Sequence, residues 1–197
     1  TTKFIRRQSV RMFYETEVSK INLKFQISDS NMNILDKIVA HKKTEVEQSK
    51  KNVSIKELEE SIFFQRTTIS LTESLLQENS SGIIAEFKRK SPSKGIINDV
   101  VNTIDVVKAY EKAGVSGSSV LTDEEFFGGT KQDLISVRTE VQIPLLRKDF
   151  MIDEYQFIEA KSIGADVVLL IASILTPEEV KHFTELAKSL QLEVLLE

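Results

Sequence analysis

Residues 83–95, with the sequence IIAEFKRKSPSKG, determine which fold we predict for the chain. The stretch begins as an apolar, β-prone run and then places Glu86 and Lys88 two residues apart. Because side chains alternate between the two faces of a strand, Ile84, Glu86 and Lys88 are expected on one face. The Ser-Pro-Ser-Lys-Gly sequence that follows cannot continue a hydrogen-bonded strand. The stretch therefore predicts a strand that carries an acid and an amine to its carboxyl end and breaks there into a polar loop.

The charged pair in this strand allows two interpretations. An opposite-charge pair on the inward face of a buried strand is expensive unless the charges are paired or used. The alternative is an exposed edge strand that carries a solvated ion pair.

The composition is that of a globular protein. The chain has 197 residues, of which 41% are hydrophobic and 28% are charged, and this suits one domain of ordinary size. A net charge of -4 gives no reason to expect a nucleic acid or an anionic membrane as a partner. The absence of cysteine excludes disulfides and thiolate zinc sites, and it fits a reducing cytoplasm. Neither glycine-rich phosphate-loop pattern occurs, which weakens a nucleotide-binding interpretation.

The first part of the chain differs from the rest. Residues 1–31 are rich in lysine and arginine, show no continuous amphipathic period and lack the apolar core of a secretory signal. We expect them to be an extension that was added artificially or translated from upstream, with Met32 as the natural start. A disordered native arm is the alternative. Residues 32–197 are expected to form one domain, in which residues 32–80 are a helical extension.

Three helices are predicted in this extension. An apolar stripe with a charged tail predicts a helix over residues 33–51. Ser54 followed by Glu57 is a capping-box pattern that predicts the start of a second helix. Thr72 is predicted to cap a third, short helix over residues 73–78.

After Gly82, strands and helices alternate. Strand-like runs are centred near residues 85, 120, 146, 169 and 195, and helices are predicted between them over 103–113, 131–140, 154–163 and 177–190. This alternation predicts a parallel α/β sheet. An open doubly wound sheet and a (β/α)₈ barrel both fit. The loop after the first strand is poor in glycine, which argues against an open sheet that binds a nucleotide. Charged residues at the strand ends favour the barrel, because the active site of a barrel lies at that end.

Two further strand ends carry charged residues. In residues 143–150, IPLLRKDF, Lys148 shares a face with Leu146. Glu197 shares the face of Leu195 at the end of the fifth strand. Two amines and two carboxylates at one end of a sheet would form a site where acid and base pKa values can be tuned. The alternatives are a surface lysine that pairs with Asp149 and a glutamate that is merely the last residue.

Together these segments resemble indole-3-glycerol phosphate synthases. The resemblance rests on IIAEFKRKSPSKG, SSVLTDEEFFGG, IPLLRKDF, GADVVLLIASIL and LEVLLE, and it runs from about Met32 to Glu197. The first and third segments together are specific, whereas GADVVLLI-like segments occur in many phosphate-binding barrels. The resemblance implies a (β/α)₈ TIM barrel with a helical N-terminal extension, in a cytoplasmic enzyme of tryptophan biosynthesis.

The resemblance also implies an activity. Members of this family are carboxy-lyases that act on 1-(2-carboxyphenylamino)-1-deoxyribulose 5-phosphate. Ring closure, decarboxylation and dehydration yield indole-3-glycerol phosphate, with no cofactor and no metal. The implied partner is this phosphorylated small molecule, and neither a nucleic acid nor a membrane is expected. The whole protein is expected to be a monomer, or to be fused to or associated with another enzyme of the pathway.

The resemblance assigns roles to four charged residues. Lys148 matches the principal general acid, which protonates the ketone oxygen of the substrate. Glu197 matches the carboxylate that assists proton removal and dehydration. Lys88 matches a lysine that contacts the substrate carboxylate or acts as a second acid. Glu86 matches the carboxylate that orients these amines.

Four more residues are implied to bind the substrate. Ser91 matches a residue near the phosphate. Phe127, Phe150 and Leu169 match apolar contacts to the aromatic ring, with core packing as the alternative for these three. The acidic run at residues 123–125 is poor evidence of metal ligation, because adjacent residues in a loop rarely ligate one ion.

Two other functions stay open at this point. One is a Schiff-base aldolase on a similar barrel, with Lys148 as the nucleophile. The other is a non-catalytic half-barrel that serves as an interaction module. The barrel of the family would need about three more strands after Glu197. We therefore expect a fragment of a longer protein, with open edges on its first and last strands and weak or no activity alone.

Overall fold

The structure is a computed structural model, and it describes residues 3–5 and 33–197. The predictions of an added or disordered extension over residues 1–31 and of a start at Met32 lie largely outside the described residues. The described part of that extension is a strand, β1, at Lys3–Ile5. In the described part of the chain, no helix has both the length and the apolar character that a membrane crossing requires.

Three helices precede the parallel strands, as the sequence predicts. They are α1 (Ile34–Asn52), α2 (Ile55–Glu59) and α3 (Leu71–Leu76). Asn33 and Asp36 form a capping box at the start of α1, and Ser54 and Glu57 form another at the start of α2. Each box satisfies backbone N–H groups that have no partner inside the helix, which explains why the helices begin at these residues.

The start of α3 differs from the prediction. Ser70, not Thr72, caps this helix, because the Ser70 hydroxyl accepts the backbone N–H of Glu73 at 3.0 Å. Thr72 lies within the first turn and donates both its N–H and its hydroxyl to the Glu193 carboxylate, each at 3.0 Å. A carboxylate from the far end of the chain thus engages the residue that was predicted to be the cap.

The five predicted strands occur in their expected places, and two further short strands form where the sequence predicted only a polar loop. In chain order they are β2 (Ile84–Phe87), β3 (Lys90–Ser91), β4 (Gly95–Ile96), β5 (Gly117–Leu121), β6 (Leu145–Lys148), β7 (Val167–Leu170) and β8 (Glu193–Leu196). The main sheet has the order β1-β2-β5-β6-β7-β8, and β3 and β4 form a separate two-stranded sheet. β2, β5, β6, β7 and β8 are parallel to one another.

Helices connect these parallel strands. They are α4 (Thr103–Lys112), α5 (Lys131–Arg138), α6 (Glu154–Ser162) and α7 (Pro177–Ser189). Every bound lies within two residues of the predicted one. The order is that of the first five strands of a (β/α)₈ barrel with the four helices that connect them, so the predicted fold class is confirmed.

The edge of the first parallel strand is not open. β1 pairs with β2 in an antiparallel register that places Lys3 opposite Glu86 and Ile5 opposite Ile84. The prediction that both outer parallel strands have open edges is therefore wrong for β2. The last strand, β8, pairs with β7 alone among the described strands.

The parallel sheet separates two apolar clusters. One face, called the inner face here, carries a cluster whose buried members are Leu71, Leu75, Ile84, Leu146, Val167 and Leu169. The other face packs against the connecting helices in a larger cluster that includes Leu145, Val168 and Phe157. Adjacent residues such as Leu145 and Leu146 lie in different clusters because strand side chains alternate between faces.

Helix α3 covers the inner face at the amino ends of the strands. The Ser74 hydroxyl donates to the carbonyl of Ser116, just before β5, at 2.6 Å. Leu71 and Leu75 of α3 belong to the inner-face cluster. The amino ends of the strands are thus covered by α3, through the apolar side chains of Leu71 and Leu75 and through the bonds from Thr72 to the Glu193 carboxylate.

Helices α1 and α2 pack on α6. Val46 of α1, Leu58 of α2 and Tyr155 of α6 form one buried cluster. The Tyr155 hydroxyl donates to the carbonyls of Ser49 at 3.1 Å and Val53 at 2.9 Å. Burial, the largest influence, raises the pKa of Tyr155 to about 12. The N-terminal helices are therefore attached to the same unit as the sheet.

Candidate active site

Four charged side chains meet at the carboxyl ends of three parallel strands. Glu86 lies in β2 and Lys148 ends β6, while Lys88 follows β2 and Glu197 follows β8. Lys148 Nζ lies 3.0 Å from Glu197 Oε2 and 3.8 Å from Glu86 Oε2. Lys88 Nζ lies 3.4 Å from Glu86 Oε1. The four groups form a row of alternating charges, Lys88–Glu86–Lys148–Glu197, which we call the charged row.

Exposure differs along the charged row. The Glu86 side chain is 9% exposed, against 18% for Lys148, 23% for Lys88 and 42% for Glu197. A nearly buried carboxylate is stable only with partners. Glu86 has both lysines and also accepts a hydrogen bond from the Ser119 hydroxyl at 3.1 Å. Glu86 therefore has a partner on three sides, and it lies within ion-pair distance of both lysines.

The strand register explains why these residues meet. Glu86 lies opposite Ser119 in the β2–β5 pair, and Ser119 lies opposite Leu146 in the β5–β6 pair. Lys148 is two residues beyond Leu146, so it shares the same face and lies one step nearer the carboxyl end. The register thus brings Lys148 to the open end of the sheet, beside Glu86.

The neighbour of Lys148 has a different environment. The Asp149 side chain is fully buried and pairs with Arg147 at 3.0 Å and with Lys42 at 2.9 Å. Lys148 pairs with Glu86 and Glu197 instead. The alternative interpretation of Lys148 as a surface lysine paired with Asp149 is therefore wrong.

Two aromatic rings lie beside the charged row. The ring centroids of Phe127 and Phe150 are 6.0 Å apart, with 37° between the ring planes. Lys88 Nζ lies 5.4 Å from the centroid of the Phe127 ring. This distance is within the range of a cation–π contact. The arrangement offers an apolar surface next to an ammonium group.

The other two predicted substrate-binding residues lie at different depths. Leu169 is only 1% exposed and belongs to the inner-face cluster with Leu146. Ser91 is half-buried and lies in the two-stranded sheet that follows β2, with its hydroxyl 3.5 Å from that of Ser93. The structure therefore places Leu169 in the packed interior of the inner face and Ser91 in the loop region beyond β2.

An arginine that the sequence analysis did not single out anchors this loop region. Both terminal nitrogens of Arg89 donate to the Asp133 carboxylate at 2.7 Å, and one also donates to the Thr103 hydroxyl at 2.5 Å. Burial raises the pKa of Asp133, but hydrogen bonds from Arg89 and Thr130 outweigh it and keep the pKa below its usual value. The loop after β2 is thus tied to the starts of α4 and α5.

The acidic run at residues 123–125 contains an internal anchor. Asp123 is buried, and its Oδ1 accepts the N–H groups of Phe126 at 2.8 Å and Phe127 at 3.2 Å. Over residues 3–5 and 33–197, no three His, Asp or Glu side chains are grouped as metal ligands would be. Asp123 therefore has a structural task in the loop that carries Phe127.

A buried lysine on α1 is the most important residue that the sequence analysis missed. The side chain of Lys42 is 0% exposed and pairs with Glu45 at 2.7 Å, Asp149 at 2.9 Å and Asp123 at 3.0 Å. Its signal in the sequence is positional. Lys42 lies four residues from both Ile38 and Val46, the other buried residues of α1, so it interrupts an apolar stripe.

The chain is similar to known proteins over most of its length. Residues 35–197 match the model of the indole-3-glycerol phosphate synthase family. A relative of that name from Bacteroides thetaiotaomicron is 47% identical over 165 residues, which cover 84% of this chain and 63% of the relative. One from Carboxydothermus hydrogenoformans is 40% identical over 169 residues, which cover 83% of this chain and 64% of the relative.

A third relative of that name, from Leptospira interrogans, is 49% identical over 129 residues, which cover 66% of this chain and 51% of the relative. The chain spans less than two thirds of the length of each of these three relatives. The family match nevertheless includes the charged row, both aromatic rings and helix α1 almost to its first residue. The chain therefore belongs to the indole-3-glycerol phosphate synthase family.

Proposed function

We propose that this protein converts 1-(2-carboxyphenylamino)-1-deoxyribulose 5-phosphate to indole-3-glycerol phosphate, in tryptophan biosynthesis. The observation that carries the proposal is the charged row at the carboxyl ends of three strands, with two aromatic rings beside it. Active sites of (β/α) barrels lie at this end of the sheet. Membership of the family supports the same reaction.

The aromatic part of this substrate fits the two rings. It is a benzene ring that carries a carboxylate, so it needs an apolar surface next to a cation. The centroid of the Phe127 ring lies 5.4 Å from Lys88 Nζ, and the Phe150 ring lies beside the Phe127 ring. In the proposal Lys88 binds the carboxylate, Phe127 and Phe150 contact the ring, and Leu169 closes the apolar site from beneath.

Lys148 is the proposed general acid of ring closure. A ring carbon of the substrate attacks the ketone carbon, a carbon–carbon bond forms, and the ketone oxygen takes a proton from the Lys148 ammonium to become a hydroxyl. An acid in this role must lie within hydrogen-bond distance of the oxygen that it protonates. Lys148 is suited to it because Nζ projects from the end of β6 and is held between two carboxylates.

The remaining steps need a base but no further reagent. The carboxylate leaves as carbon dioxide, and its bonding electrons neutralise the iminium of the closed ring. The hydroxyl then leaves as water with a proton from the Lys88 ammonium, and the methylene carbon next to the ring nitrogen loses a proton. This completes the double bond of the indole and leaves the hydrogen on the nitrogen. Glu197 lies 3.0 Å from Lys148 and is the proposed acceptor of protons in this stage.

Glu86 and Ser91 complete the proposed site. Glu86 does not need to touch the substrate, since its contacts with Lys88, Lys148 and Ser119 already give it the task of orienting both amines. Ser91 offers a hydroxyl in the loop beyond β2, where it is proposed to donate to the phosphate. A location in the cytoplasm, and the state as a monomer or as a fusion with another pathway enzyme, stay predictions.

The test uses the fluorescence of the product. The chain contains no tryptophan, so it contributes no indole emission of its own. Two proteins are incubated with the substrate: the chain itself, and the chain continued after Glu197 with the remaining C-terminal part of the Bacteroides relative. We expect the continued protein to release carbon dioxide and form an indole product in equal amounts, and the chain alone to be slow or inactive.

Two outcomes would contradict the proposal. The first is a continued protein that binds the substrate, as measured by the fluorescence of its carboxyphenylamino group, but releases neither product. The second is a covalent adduct on Lys148 after borohydride reduction in the presence of substrate, because only the Schiff-base aldolase alternative forms one.

A further inference from the structure

Lys42 contacts the loops that carry the candidate catalytic and ring-binding residues, although it lies on the N-terminal helix α1. Its ammonium is buried between Asp123, which follows β5, and Asp149, which follows β6. A buried ammonium is unfavourable unless its partners compensate for lost hydration. We propose that Lys42 is a positioning residue that holds these two loops at a fixed separation, and so sets the spacing of the site. The proposal rests on the proposed function for its effect on turnover.

The first connection runs from Lys42 to Lys148 and Phe150. Asp149 lies between these two residues in the chain. Its Oδ1 lies 2.9 Å from Lys42 Nζ and accepts the backbone N–H of Phe150 at 2.8 Å. Its Oδ2 accepts the hydroxyl of Thr122 at 2.7 Å. Movement of the Lys42 ammonium would therefore act directly on the peptide that joins Asp149 to Phe150.

The second connection runs from Lys42 to Phe127. Asp123 Oδ2 lies 3.0 Å from Lys42 Nζ. This oxygen is buried and, among the described residues, has no hydrogen-bond donor besides that ion pair. The other oxygen, Oδ1, accepts the N–H groups of Phe126 and Phe127, and the Asp123 carbonyl accepts that of Gly129 at 2.9 Å. The loop that carries Phe127 is thus wound around a carboxylate whose charge is balanced by Lys42.

One ammonium therefore bridges two loops. Asp123 and Asp149 both carry a negative charge in the interior, and without a cation between them they would repel each other. Their loops carry Phe127 and Phe150, whose rings are 6.0 Å apart. The separation of the two rings, and the direction in which Lys148 leaves β6, both depend on this bridge.

The charges of Lys42 and Asp149, one half of the bridge, persist over a wide pH range. Burial lowers the pKa of Lys42, but Asp149, Asp123 and Glu45 outweigh it, and the net pKa is well above the ordinary value. Burial raises the pKa of Asp149, but Arg147 and Lys42 outweigh it, and the net pKa is far below the ordinary value. This half of the bridge is thus a permanent part of the site near neutral pH.

Three variants separate positioning from general stabilisation. Lys42→Met removes the charge and keeps the length of the side chain. Asp123→Asn weakens only the connection to the loop of Phe127. Lys50→Met is the matched control, because Lys50 also lies on α1 and pairs with the barrel at Asp153, 2.7 Å away, without contact to Asp123 or Asp149.

The first measurement does not depend on turnover. The chain is labelled with fluorophenylalanine, and the fluorine resonances of Phe127 and Phe150 are assigned by replacing each in turn with leucine. We expect Lys42→Met to shift or broaden both resonances, Asp123→Asn to affect that of Phe127 more than that of its neighbour Phe150, and Lys50→Met to affect neither. The resonance of Phe183, in the opposite cluster, should stay unchanged in all three. A loss of stability alone would not produce this division.

The second measurement is turnover of the continued protein described above. We expect kcat/KM to fall about 100-fold in Lys42→Met, as a displacement of about 1 Å can cause, and to stay within about twofold in Lys50→Met, since an exposed ion pair contributes little. If the continued protein without any substitution has no activity, the proposed function fails. The fluorine resonances still test whether Lys42 positions the two loops.

Unchanged resonances of Phe127 and Phe150 in a folded Lys42→Met protein would overturn the inference. So would an equal loss of kcat/KM in Lys42→Met and Lys50→Met. If Lys42→Met does not fold, the fluorine spectrum of Asp123→Asn tests the inference instead. Equal changes in the resonances of Phe127, Phe150 and Phe183 in that variant would refute the bridge.

Discussion

The ammonium of Lys148 lies 3.0 Å from the carboxylate of Glu197, although 49 positions of the chain separate the two residues. Lys148 ends β6 and Glu197 follows β8, and β7 lies between these strands in the sheet. The pair therefore spans a whole strand at the carboxyl end of the sheet. The contact is possible because both side chains are long and leave their strands at the same end of the sheet.

The first prediction concerns Lys148. In the continued protein, Lys148→Met should lower kcat by about 100-fold to 10,000-fold, the contribution typical of a positioned general acid. KM should change little, because the proton is needed in the transition state rather than for binding. Steady-state kinetics with the fluorescent product measure both constants.

Lys181 on α7 provides the control for this variant, since it is an exposed lysine away from the charged row. Lys181→Met should retain the full kcat. A Lys148→Met protein with wild-type kcat would remove Lys148 from the role of general acid.

The second prediction concerns stability at the opposite end of the strands. Asp166 is fully buried, and Oδ1 binds Arg66 at 2.6 Å and the N–H of Ile69 at 2.8 Å. Oδ2 binds Arg138 at 2.8 Å and the N–H of Leu145 at 2.9 Å. Asp166→Asn leaves buried arginine charge without its partner, and the free energy of unfolding should fall by about 3–5 kcal/mol in urea titrations.

An exposed ion pair gives the comparison. Lys108 and Glu140 lie 2.8 Å apart with both side chains well exposed. Glu140→Gln should lower the free energy of unfolding far less than Asp166→Asn does, because an exposed ion pair contributes little. Equal losses in Asp166→Asn and Glu140→Gln would show that the buried network does not stabilise the fold as described.

The third prediction is a pH dependence at Asp133. Its pKa is lower in the folded chain than its ordinary value, because the hydrogen bonds from Arg89 and Thr130 outweigh burial. A carboxyl group whose pKa is lowered by folding stabilises the folded chain fully at pH values above its unfolded-state pKa of about 3.9. This stabilisation is lost as the pH falls through the folded-state pKa. The difference in free energy of unfolding between the wild type and Asp133→Asn should therefore shrink below about pH 4.

Urea titrations at pH 7 and pH 3 measure this difference. A gap of the same size at both pH values would mean that the ionised carboxylate of Asp133 is not stabilised by the fold. The Asp133→Asn variant is the reference for the wild type at both pH values, since it has no carboxyl group to titrate at this position.

The fourth prediction concerns the loop of Phe127. A Cβ atom on Gly129 would lie 2.8 Å from Cβ of Leu121 and closer still to its carbonyl group. Because backbone atoms of a buried strand cannot move aside cheaply, Gly129→Ala should lower the free energy of unfolding by about 3 kcal/mol. It should also lower kcat/KM of the continued protein, since the displaced loop carries Phe127.

Gly95 is the matched glycine for this test. It has a φ of +63°, and a Cβ there would meet no atom within 4 Å. Gly95→Ala should therefore lower the free energy of unfolding by only about 1 kcal/mol, which is the cost of a left-handed backbone for a residue with a Cβ atom. If Gly129→Ala were no worse than Gly95→Ala, the loop after β5 would be looser than its contacts indicate.

Local patterns predicted most of the secondary structure. The bounds of α4 and α7 differ from the predicted bounds by a single residue, because apolar period, caps and stop signals all lie within the helix and its flanks. The start of α3 was predicted two residues late, although its cap, Ser70, followed three residues later by Glu73, is itself a local capping pattern. The partner that engages Thr72 is Glu193, 121 positions away, and no local pattern contains it.

The buried charges were outside the reach of sequence analysis. Lys42, Arg147 and Asp166 are charged residues, and such residues are usually exposed. Their burial depends on counter-charges that other elements supply, such as Asp123 and Asp149 for Lys42. A sequence shows that a lysine interrupts an apolar stripe, but it does not show what stands opposite.

The sequence by itself determined that Glu86 and Lys88 share one face of a strand and that Lys148 and Glu197 end others, because side-chain alternation is a property of a few consecutive residues. Only the tertiary structure decided that these four groups form one row and that Lys42 joins the loops beside it. Those distances depend on the order and register of parallel strands that lie far apart in the chain, and packing of the whole sheet sets both.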